Sequence, residues 1–421
     1  MKILVYPHDL AVGGSQLNAI EIAAAVAALG HEVAVFGRPG ALVPRIHQLG
    51  LEFIEAPQPG RRPSPTVVSA LERLIRHREV DVVHGYEWPP ALEARLAVRH
   101  HRQTTAVATV MSMAVAPFIP RSMALLVGTQ EIADAERAAG RRRIGLLEPP
   151  VDLVFNDANA DVGQSEFRRQ FGLDPSRFTV TAVTRFAHEL KLEGTLAAIA
   201  AVAAVNDALP VRLVLVGDGP ARAIVEARAR EANERVGPGT IVLTGQLDDP
   251  RAAYATADLA LGMGGSALRA LAFRQALVVQ GERGFWQLLT PDSVSGFLVT
   301  GWYGVGTSAA EGAPTLERIL RDILPDARRR AELGAFGRHL VEHRFSLGRA
   351  ADRQVEQYRL ALEHPVGRAE TLRADSAAFL RYGGYYLRKR VRRARGTESA
   401  DDFNAVPVRA TATAADASRP R

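Results

Sequence analysis

Apolar and polar residues alternate along the first 150 positions in a pattern that predicts short strands separated by helices. Apolar runs typical of strands occupy 2–6, 31–36, 51–54, 80–84, 105–110, 124–127 and 144–147. A helical pattern follows the first of these runs, at 15–29. Strands that alternate with helices form parallel βαβ units, so we expect a doubly wound α/β domain here.

A second series of the same kind follows two prolines at 149 and 150, which predict a linker. Its strands are predicted at 178–183, 211–216, 240–243, 258–261 and 276–280, with helices between them. We therefore expect two Rossmann-like domains, at 1–150 and 151–345. In such sheets ligands bind outside the carboxyl ends of the strands, so two facing edges would form a cleft. A helix at 346–362, a basic segment at 363–395 and a disordered tail at 396–421 would complete the chain.

The composition narrows the chemistry only slightly. The chain has 421 residues, of which 47% are hydrophobic, and it contains no cysteine. Disulfides, thiolate metal sites and cysteine nucleophiles are thereby excluded. We find no apolar run long enough for a signal peptide or a membrane span, so the expected compartment is the cytoplasm.

The net charge of +6 arises from one segment. Residues 381–395 contain seven basic residues and no acidic one, whereas residues 1–380 are neutral overall. A nucleic-acid enzyme usually spreads basic residues over a folded face, so we expect no nucleic-acid partner. The stretch from Ala377 to Arg395 also carries aromatic and apolar residues. It is either a solvated run of charge, weakened as a helix by two glycines, or a segment that lies on an anionic membrane surface.

The strongest candidate site follows the first strand of the second domain. Arg185 and Lys191 lie in a loop that leads into a helix, and two cations at such an edge suit a diphosphate. The chain has only three lysines, Lys2, Lys191 and Lys389, against a large excess of arginine. The only lysine away from the termini therefore lies where a phosphate-binding lysine is expected. The alternative is a solvated loop with incidental charges.

Glycine-rich turns after other strands are further candidates. In the turn at 262–272, Ser266 is a predicted N-cap, and the free N–H groups beyond it would bind an anion. This turn and two others supply candidate donor-binding residues, namely Gly264, Gly265, Ser266, Ala267, Leu268, Arg269, Gly217, Asp218, Gly13 and Gly14. Each turn has a plain structural alternative, which for Asp218 is the closing of an Asx-turn.

Three side chains are candidates for contacts with a sugar. His84 ends a predicted strand, where it would act as a base, a hydrogen-bond donor or a strand-end cap. Trp302 and Tyr303 lie in a glycine-rich loop and would stack on a sugar ring or pack in a turn. We find no metal-binding or acyl-transfer motif, so we expect no metal and no cofactor.

Taken in order, these motifs resemble the GT-B glycosyltransferases, specifically the retaining enzymes of family 4. The resemblance covers residues 1–362 and includes GGSQ, DVVH, PPVDLVF, R…K-x-x-G, LVLVGDGP, TGQL, YATADL and GSALRALAF. It implies that Arg185 and Lys191 hold the diphosphate of a nucleotide sugar, and that the loop from Gly264 to Leu268 and the pair Gly13–Gly14 approach it. It also implies that the helix at 346–362 crosses back to the first domain.

The chain departs from this family at three positions. The family's paired glutamates correspond to Leu261 and Arg269, and Met111 stands where a histidine often follows the fifth strand. We expect metal-independent transfer of a sugar to a hydroxyl acceptor of a glycan, lipid or small molecule. Two alternatives remain open: a non-catalytic GT-B protein that binds a nucleotide or glycan and acts through a partner, and a sugar-nucleotide epimerase.

Overall fold

The computed structural model describes residues 1–395, so the tail predicted at 396–421 lies outside the described residues. The chain divides into two compact units. Unit 1 comprises Met1–Pro149 and the segment that begins at Leu347, and unit 2 comprises Pro150–Ser346.

Unit 1 contains a seven-stranded, fully parallel sheet. Its strands are β1 (Lys2–Tyr6), β2 (Glu32–Gly37), β3 (Glu52–Glu55), β4 (Val82–Tyr86), β5 (Thr105–Val110), β6 (Ala124–Val127) and β7 (Ile144–Leu146). They lie side by side in the order β3-β2-β1-β4-β5-β6-β7. The intervening helices are α1 (Gly14–Ala28), α2 (Val43–Gln48), α3 (Pro65–Arg78), α4 (Trp88–Ala97) and α5 (Gln130–Ala138).

Unit 2 contains a six-stranded sheet. Its strands are β8 (Phe178–Val183), β9 (Val211–Val216), β10 (Ile241–Gly245), β11 (Leu259–Gly262), β12 (Leu277–Gln280) and β13 (Trp286–Leu288), in the order β10-β9-β8-β11-β12-β13. Only β13, at the edge, is antiparallel to its neighbour. The helices are α6 (Gln164–Gln170), α7 (Leu192–Val205), α8 (Arg222–Val236), α9 (Arg251–Ala255), α10 (Gly265–Ala272), α11 (Val294–Thr300), α12 (Gly312–Ile323) and α13 (Ala327–Arg344).

The chain then adds two helices, α14 (Leu347–Glu363) and α15 (Arg368–Ala394), to unit 1. Helix α14 contributes Val355 and Tyr358 to the core on one face of the unit 1 sheet. Helix α15 places Tyr382 and Tyr385 against the core on the other face. Two glycines at 383 and 384 do not interrupt α15, although we expected them to weaken it.

Both sheets are buried on both faces, which explains the continuous apolar runs of their strands. In β1, Leu4 and Tyr6 belong to the core of one face, and Ile3 and Val5 belong to the core of the other. Unit 2 shows the same division around its own sheet. The predicted fold class, two doubly wound α/β domains, is confirmed.

The strand order reverses once in each sheet, and these points are where open α/β sheets bind ligands. In unit 1 the reversal lies between β1 and β4, and in unit 2 it lies between β8 and β11. A ligand-binding site is therefore expected in the loops that follow the carboxyl ends of those four strands.

Candidate functional site

The loop after β8 in unit 2 presents two cations that have no counter-ion among the residues that the structure describes. Neither Arg185 nor Lys191 makes a side-chain hydrogen bond or ion pair with any residue of the described range 1–395. Arg185 is exposed and Lys191 is partly buried. The loop starts at the point where the strand order of unit 2 reverses. The arrangement therefore offers two unneutralised positive charges at the ligand-binding edge.

Lys191 is held in an electrostatically unfavourable place. Burial lowers the pKa of its ammonium group from the ordinary 10.5 to about 8, because no carboxylate in the described part of the chain compensates the lost hydration. The residue before it, Leu190, has a φ of 64°, a left-handed conformation that costs a branched residue free energy. A strained loop that carries a poorly solvated cation is typical of a site that is completed by an anion.

The loop after β9 packs directly on the loop after β8. Gly217 and Gly219 have φ of 147° and 158°, and a Cβ on either would collide with the carbonyl oxygen of Thr184 or Phe186. The backbone N–H of Phe186 also donates to the carbonyl of Asp218 over 2.9 Å. The glycines thus let the two loops approach closely enough to fix the backbone on both sides of Arg185.

Asp218 is occupied within its own turn. Its carboxylate accepts hydrogen bonds from the N–H of Gly219 at 2.7 Å and from the guanidinium of Arg222 at 2.7 Å. These contacts hold the pKa of Asp218 below its usual range. The carboxylate therefore bonds to the N–H of the next residue and not to the N–H two residues on, as an Asx-turn requires, and Gly217 serves loop packing.

Helix α10 begins beside the loop after β8, because β11 and β8 are paired parallel neighbours. Its N-cap is Gly264, with a φ of 58°, so the prediction that Ser266 is the N-cap is wrong. The hydroxyl of Ser266 instead donates to the carbonyl of Met263 over 3.1 Å. The first N–H groups of a helix have no intrahelical acceptor, so the start of α10 remains suited to an anion.

The side chains along α10 point in different directions. Those of Ala267 and Leu268 are fully buried, so only their backbone faces the start of the helix. Arg269 is half-buried, and its guanidinium lies close to Gly265. Leu261, at the other position where the resemblance implies a glutamate, is buried in the core of unit 2.

Trp302 and Tyr303 support this region from behind instead of facing a ligand. Trp302 is 2% exposed in the core beside α10, and the hydroxyl of Tyr303 donates to Glu282. The carbonyl of Trp302 accepts a hydrogen bond from the N–H of Gly264 at 3.0 Å. The expected stacking on a sugar is therefore replaced by a packed turn that fixes the start of α10.

In unit 1 the corresponding edge contains a residue that the sequence analysis missed. Glu87 follows β4, has a φ of 66°, and is buried. Its carboxylate accepts hydrogen bonds from Ser15 Oγ, from the N–H of Met111 and from Ser112 Oγ, at 3.1, 3.0 and 2.5 Å. Burial raises its pKa despite these donors. The predicted strand ended at residue 84, two residues short of the observed end of β4, which is why Glu87 was overlooked.

Gly13 and Gly14 begin α1 at the same edge, with Gly13 as its N-cap. A Cβ on Gly14 would meet nothing within 4 Å, so the described residues leave open space there. Because β1 and β4 are paired, the GGSQ loop and Glu87 leave adjacent strands, and the hydrogen bond between Ser15 and Glu87 joins them.

His84 is not available to a substrate. Its side chain is completely buried, with Nδ1 2.7 Å from the hydroxyl of Tyr358 and Nε2 2.7 Å from Thr109 Oγ1. Burial lowers the pKa of the imidazole to about 3, so the ring is neutral at physiological pH. Its role is to join β4 to β5 and α14, and the proposed roles as base or sugar donor are not supported by this position.

Helix α15 contacts unit 1 by one face only. Tyr382 and Tyr385 pack against Trp88 and Phe118, with ring centroids 5.1–6.2 Å apart. Its other face exposes large apolar side chains, namely Leu372, Phe379, Leu380, Tyr386, Leu387 and Val391.

Across residues 1–395 no helix is long and apolar enough to cross a membrane. In the same described part of the chain, no group of three or more His, Asp or Glu residues is arranged to hold a metal ion.

Comparison with known proteins agrees with this architecture. Residues 12–148 match the family model Glycosyltransferase Family 4, and residues 177–320 match the model Glycosyl transferases group 1. No curated protein matches the chain by sequence.

Solved structures are similar in fold over most of the chain, at low sequence identity. A glycosyltransferase from Rickettsia africae is 15% identical with a TM-score of 0.69, over 86% of this chain and 99% of that one. The HepE protein of Anabaena in complex with UDP is 16% identical with a TM-score of 0.66, over 86% and 100%. The catalytic domain of starch synthase IV from Arabidopsis thaliana, bound to ADP and acarbose, is 13% identical with a TM-score of 0.66, over 86% and 100%.

The two family models together span most of the chain and meet it in the order of the two units, in agreement with the resemblance found in the motifs. The chain therefore belongs to the GT-B glycosyltransferases of the family 4 type, and it is a glycosyltransferase.

Proposed function

We propose that unit 2 binds the diphosphate of the nucleotide sugar through Arg185, Lys191 and the first N–H groups of α10, without a metal ion. The observation that carries the proposal is the pair of cations at the point of strand reversal, for which residues 1–395 supply no counter-ion. An incoming diphosphate would supply the missing negative charge and raise the pKa of Lys191 again. Arginine would grip phosphate oxygens with its planar fork, and lysine would act as a compact charge.

The proposed reaction retains the configuration at the anomeric carbon. The bond between that carbon and the diphosphate oxygen breaks, and the acceptor oxygen bonds to the same face. The acceptor proton passes to an oxygen of the leaving diphosphate, so the products are a glycoside and a nucleoside diphosphate. The cations stabilise charge on the leaving group, and preorganised donors of this kind typically contribute a factor of about 10²–10³ each in rate. This route fits a chain with Leu261 and Arg269 at the two positions where the resemblance implies glutamates.

The proposed acceptor is a hydroxyl group of a glycan or glycolipid, and the proposed place of work is the cytoplasmic face of a membrane. Helix α15 supports this view, because its apolar face is exposed while arginines flank that face. Leu380 and Leu387 are 78% and 65% exposed, although exposure of large apolar side chains to water is energetically unfavourable. The anionic cytoplasmic leaflet would attract the basic residues, at about 1 kcal/mol each near the surface.

A transfer assay tests the donor site. Release of nucleoside diphosphate from UDP-glucose and from other nucleotide sugars is measured with excess chelator, and NMR assigns the anomeric configuration of the product. The uridine nucleotide is tried first because HepE binds UDP and UDP-glucose. We expect turnover with the chelator present, a loss of about 10²-fold or more in Lys191→Ala, and little change in Lys2→Ala. Full activity in Lys191→Ala, or dependence on added metal, would contradict the proposal.

Vesicle flotation tests the membrane association. Vesicles of phosphatidylcholine alone are compared with vesicles that also contain phosphatidylglycerol, at low and high salt. We expect the protein to float only with the anionic vesicles, and less so at high salt because salt screens the attraction. The double variant Leu380→Glu, Leu387→Glu should remain in the soluble fraction. Ile224→Glu, at an exposed apolar residue on α8, is the matched control and should float as the wild type does.

A further inference from the structure

The space above Gly194, in the first turn of α7, is filled by the side chain of Gln280. A Cβ on Gly194 would collide with the amide of Gln280, which is its nearest neighbour. Gln280 ends β12 and is 4% exposed. The glycine is thus required because an amide from another strand occupies the place of its side chain, and its φ is not in the left-handed region.

The side-chain amide of Gln280, which fills this space, is hydrogen-bonded to the backbone of Lys191. Gln280 Nε2 donates to the carbonyl oxygen of Lys191 over 3.2 Å. The same oxygen accepts the N–H of Thr195 at 3.0 Å and the hydroxyl of Thr195 at 2.9 Å. Three donors on one carbonyl restrict the residue that carries the partly buried ammonium group.

A second hydrogen bond ties the same two segments together. The N–H of Gly284, just beyond β12, donates to the carboxylate of Glu193 over 2.7 Å. The start of α7 is therefore anchored at two points, the carbonyl of Lys191 to the end of β12 and the carboxylate of Glu193 to the loop that follows β12. Such anchoring opposes the relaxation that the left-handed conformation of Leu190 would otherwise favour.

We infer that Gln280 is a positioning residue for Lys191, and that Gly194 is its steric partner. Gln280 aims the lysine by holding its carbonyl, and it reaches that carbonyl only because residue 194 lacks a side chain. The inference rests on the proposed function of Lys191 as a ligand of the donor diphosphate. It also gives a physical reason for the spacing of lysine and glycine in the segment Lys191–Leu192–Glu193–Gly194.

Calorimetric titration tests the inference. A nucleoside diphosphate, UDP, and the matching monophosphate, UMP, are each titrated into the wild type and into Gln280→Ala. We expect UDP affinity to fall by about fivefold to tenfold, the size of one hydrogen bond's net contribution, with little change for UMP. In a Lys191→Ala background the same substitution should have no further effect on UDP affinity, because Gln280 acts through the lysine. An equal loss for both nucleotides, or a loss that persists without the lysine, would overturn the inference.

Gly194→Ala provides an independent variant, which serves even if Gln280→Ala does not fold. Alanine favours a helix relative to glycine, so the only expected damage is displacement of the Gln280 amide. Its loss of UDP affinity should match that of Gln280→Ala, and the double variant should lose no more than either single variant. Gly348→Ala is the matched control, a helical glycine in open space, and should bind UDP normally. Normal UDP affinity in Gly194→Ala would also refute the inference. If Lys191→Ala itself binds UDP as the wild type does, the proposed function fails instead.

Discussion

Replacing Lys191 by methionine should make the protein more stable and abolish its binding of the donor nucleotide. Methionine keeps the length and much of the shape of lysine but has no charge to desolvate. In the unliganded protein the charged ammonium is destabilising, because burial lowers its pKa to about 8 without a compensating carboxylate. Stability and binding should therefore change in opposite directions, as expected for a residue that is present for function.

The size of the effect follows from the pKa. One pKa unit corresponds to about 1.4 kcal/mol, so the change from 10.5 to about 8 would correspond to roughly 3 kcal/mol for a fully buried lysine. Because Lys191 keeps some contact with solvent, we expect Lys191→Met to stabilise the protein by about 1–3 kcal/mol at pH 7. A gain of 1 kcal/mol raises the melting temperature of a domain of this size by about 2–4 °C.

The sign of the pH dependence gives a second check. Below pH 8 the lysine is charged in both the folded and the unfolded chain, so the cost of its burial is present in full. Between about pH 8 and 10.5 the unfolded chain binds more protons at this residue, so wild-type stability rises with pH through this group. The stability difference between Lys191→Met and the wild type should therefore shrink over that range.

Thermal and urea unfolding at pH 7 and pH 9.5 measure this difference, and calorimetry with UDP measures binding. Lys2→Met is the control, since Lys2 has a side chain 40% exposed and pairs with Glu79 on the surface. Its stability should change by less than about 1 kcal/mol. Lower stability in Lys191→Met, or undiminished UDP binding, would refute the reasoning.

Three further predictions concern the binding of UDP and the stability of the loops at the carboxyl ends of the two sheets. Wild-type affinity for UDP should fall about tenfold between pH 7 and pH 9 in calorimetric titrations, because the charged fraction of Lys191 falls by about that factor around a pKa of about 8; affinity unchanged over this range would exclude the lysine. Glu87→Ala should lower the free energy of unfolding by about 1–3 kcal/mol in urea titrations, since it leaves partly buried donors unsatisfied, whereas Glu87→Gln should lose less. Trp302→Ala should cost about 3–5 kcal/mol through the cavity that it leaves, and equal stability to the wild type would show that the side chain is not packed in the core.

The fold was largely predictable because parallel strands covered on both faces leave long apolar runs in the sequence. The helical pattern beyond Pro325 is confirmed by α13, whereas helices α11 and α12 and the antiparallel strand β13 were less clear from the sequence. The exact ends of strands were also uncertain. The pattern ended β4 at residue 84, but the strand continues through Gly85 and Tyr86, and Glu87 emerges only when this end is known.

The sequence could not distinguish side chains that face a ligand from those that face the core. Trp302 lies in a glycine-rich loop and His84 lies near the carboxyl end of a strand, which are positions typical of ligand-binding residues. Both are nevertheless buried: Trp302 is packed in the core of its own unit, and His84 is hydrogen-bonded within its own unit. Gln280 carried no signal at all, because its partner Lys191 lies 89 positions away and the contact is made by a backbone carbonyl. Contacts of this kind appear only when the strand order is known.

We propose above all that Arg185 and Lys191 hold the donor diphosphate without a metal ion. The most direct test of this proposal is a calorimetric titration of UDP, GDP, ADP and TDP into the purified protein in the presence of chelator, repeated with Arg185→Ala, Lys191→Ala and Lys2→Ala. We expect one of these nucleotides to bind the wild type and Lys2→Ala alike, and each of the other two variants to bind it at least about tenfold more weakly. Binding that requires metal, or that is unchanged in both Arg185→Ala and Lys191→Ala, would contradict the proposal.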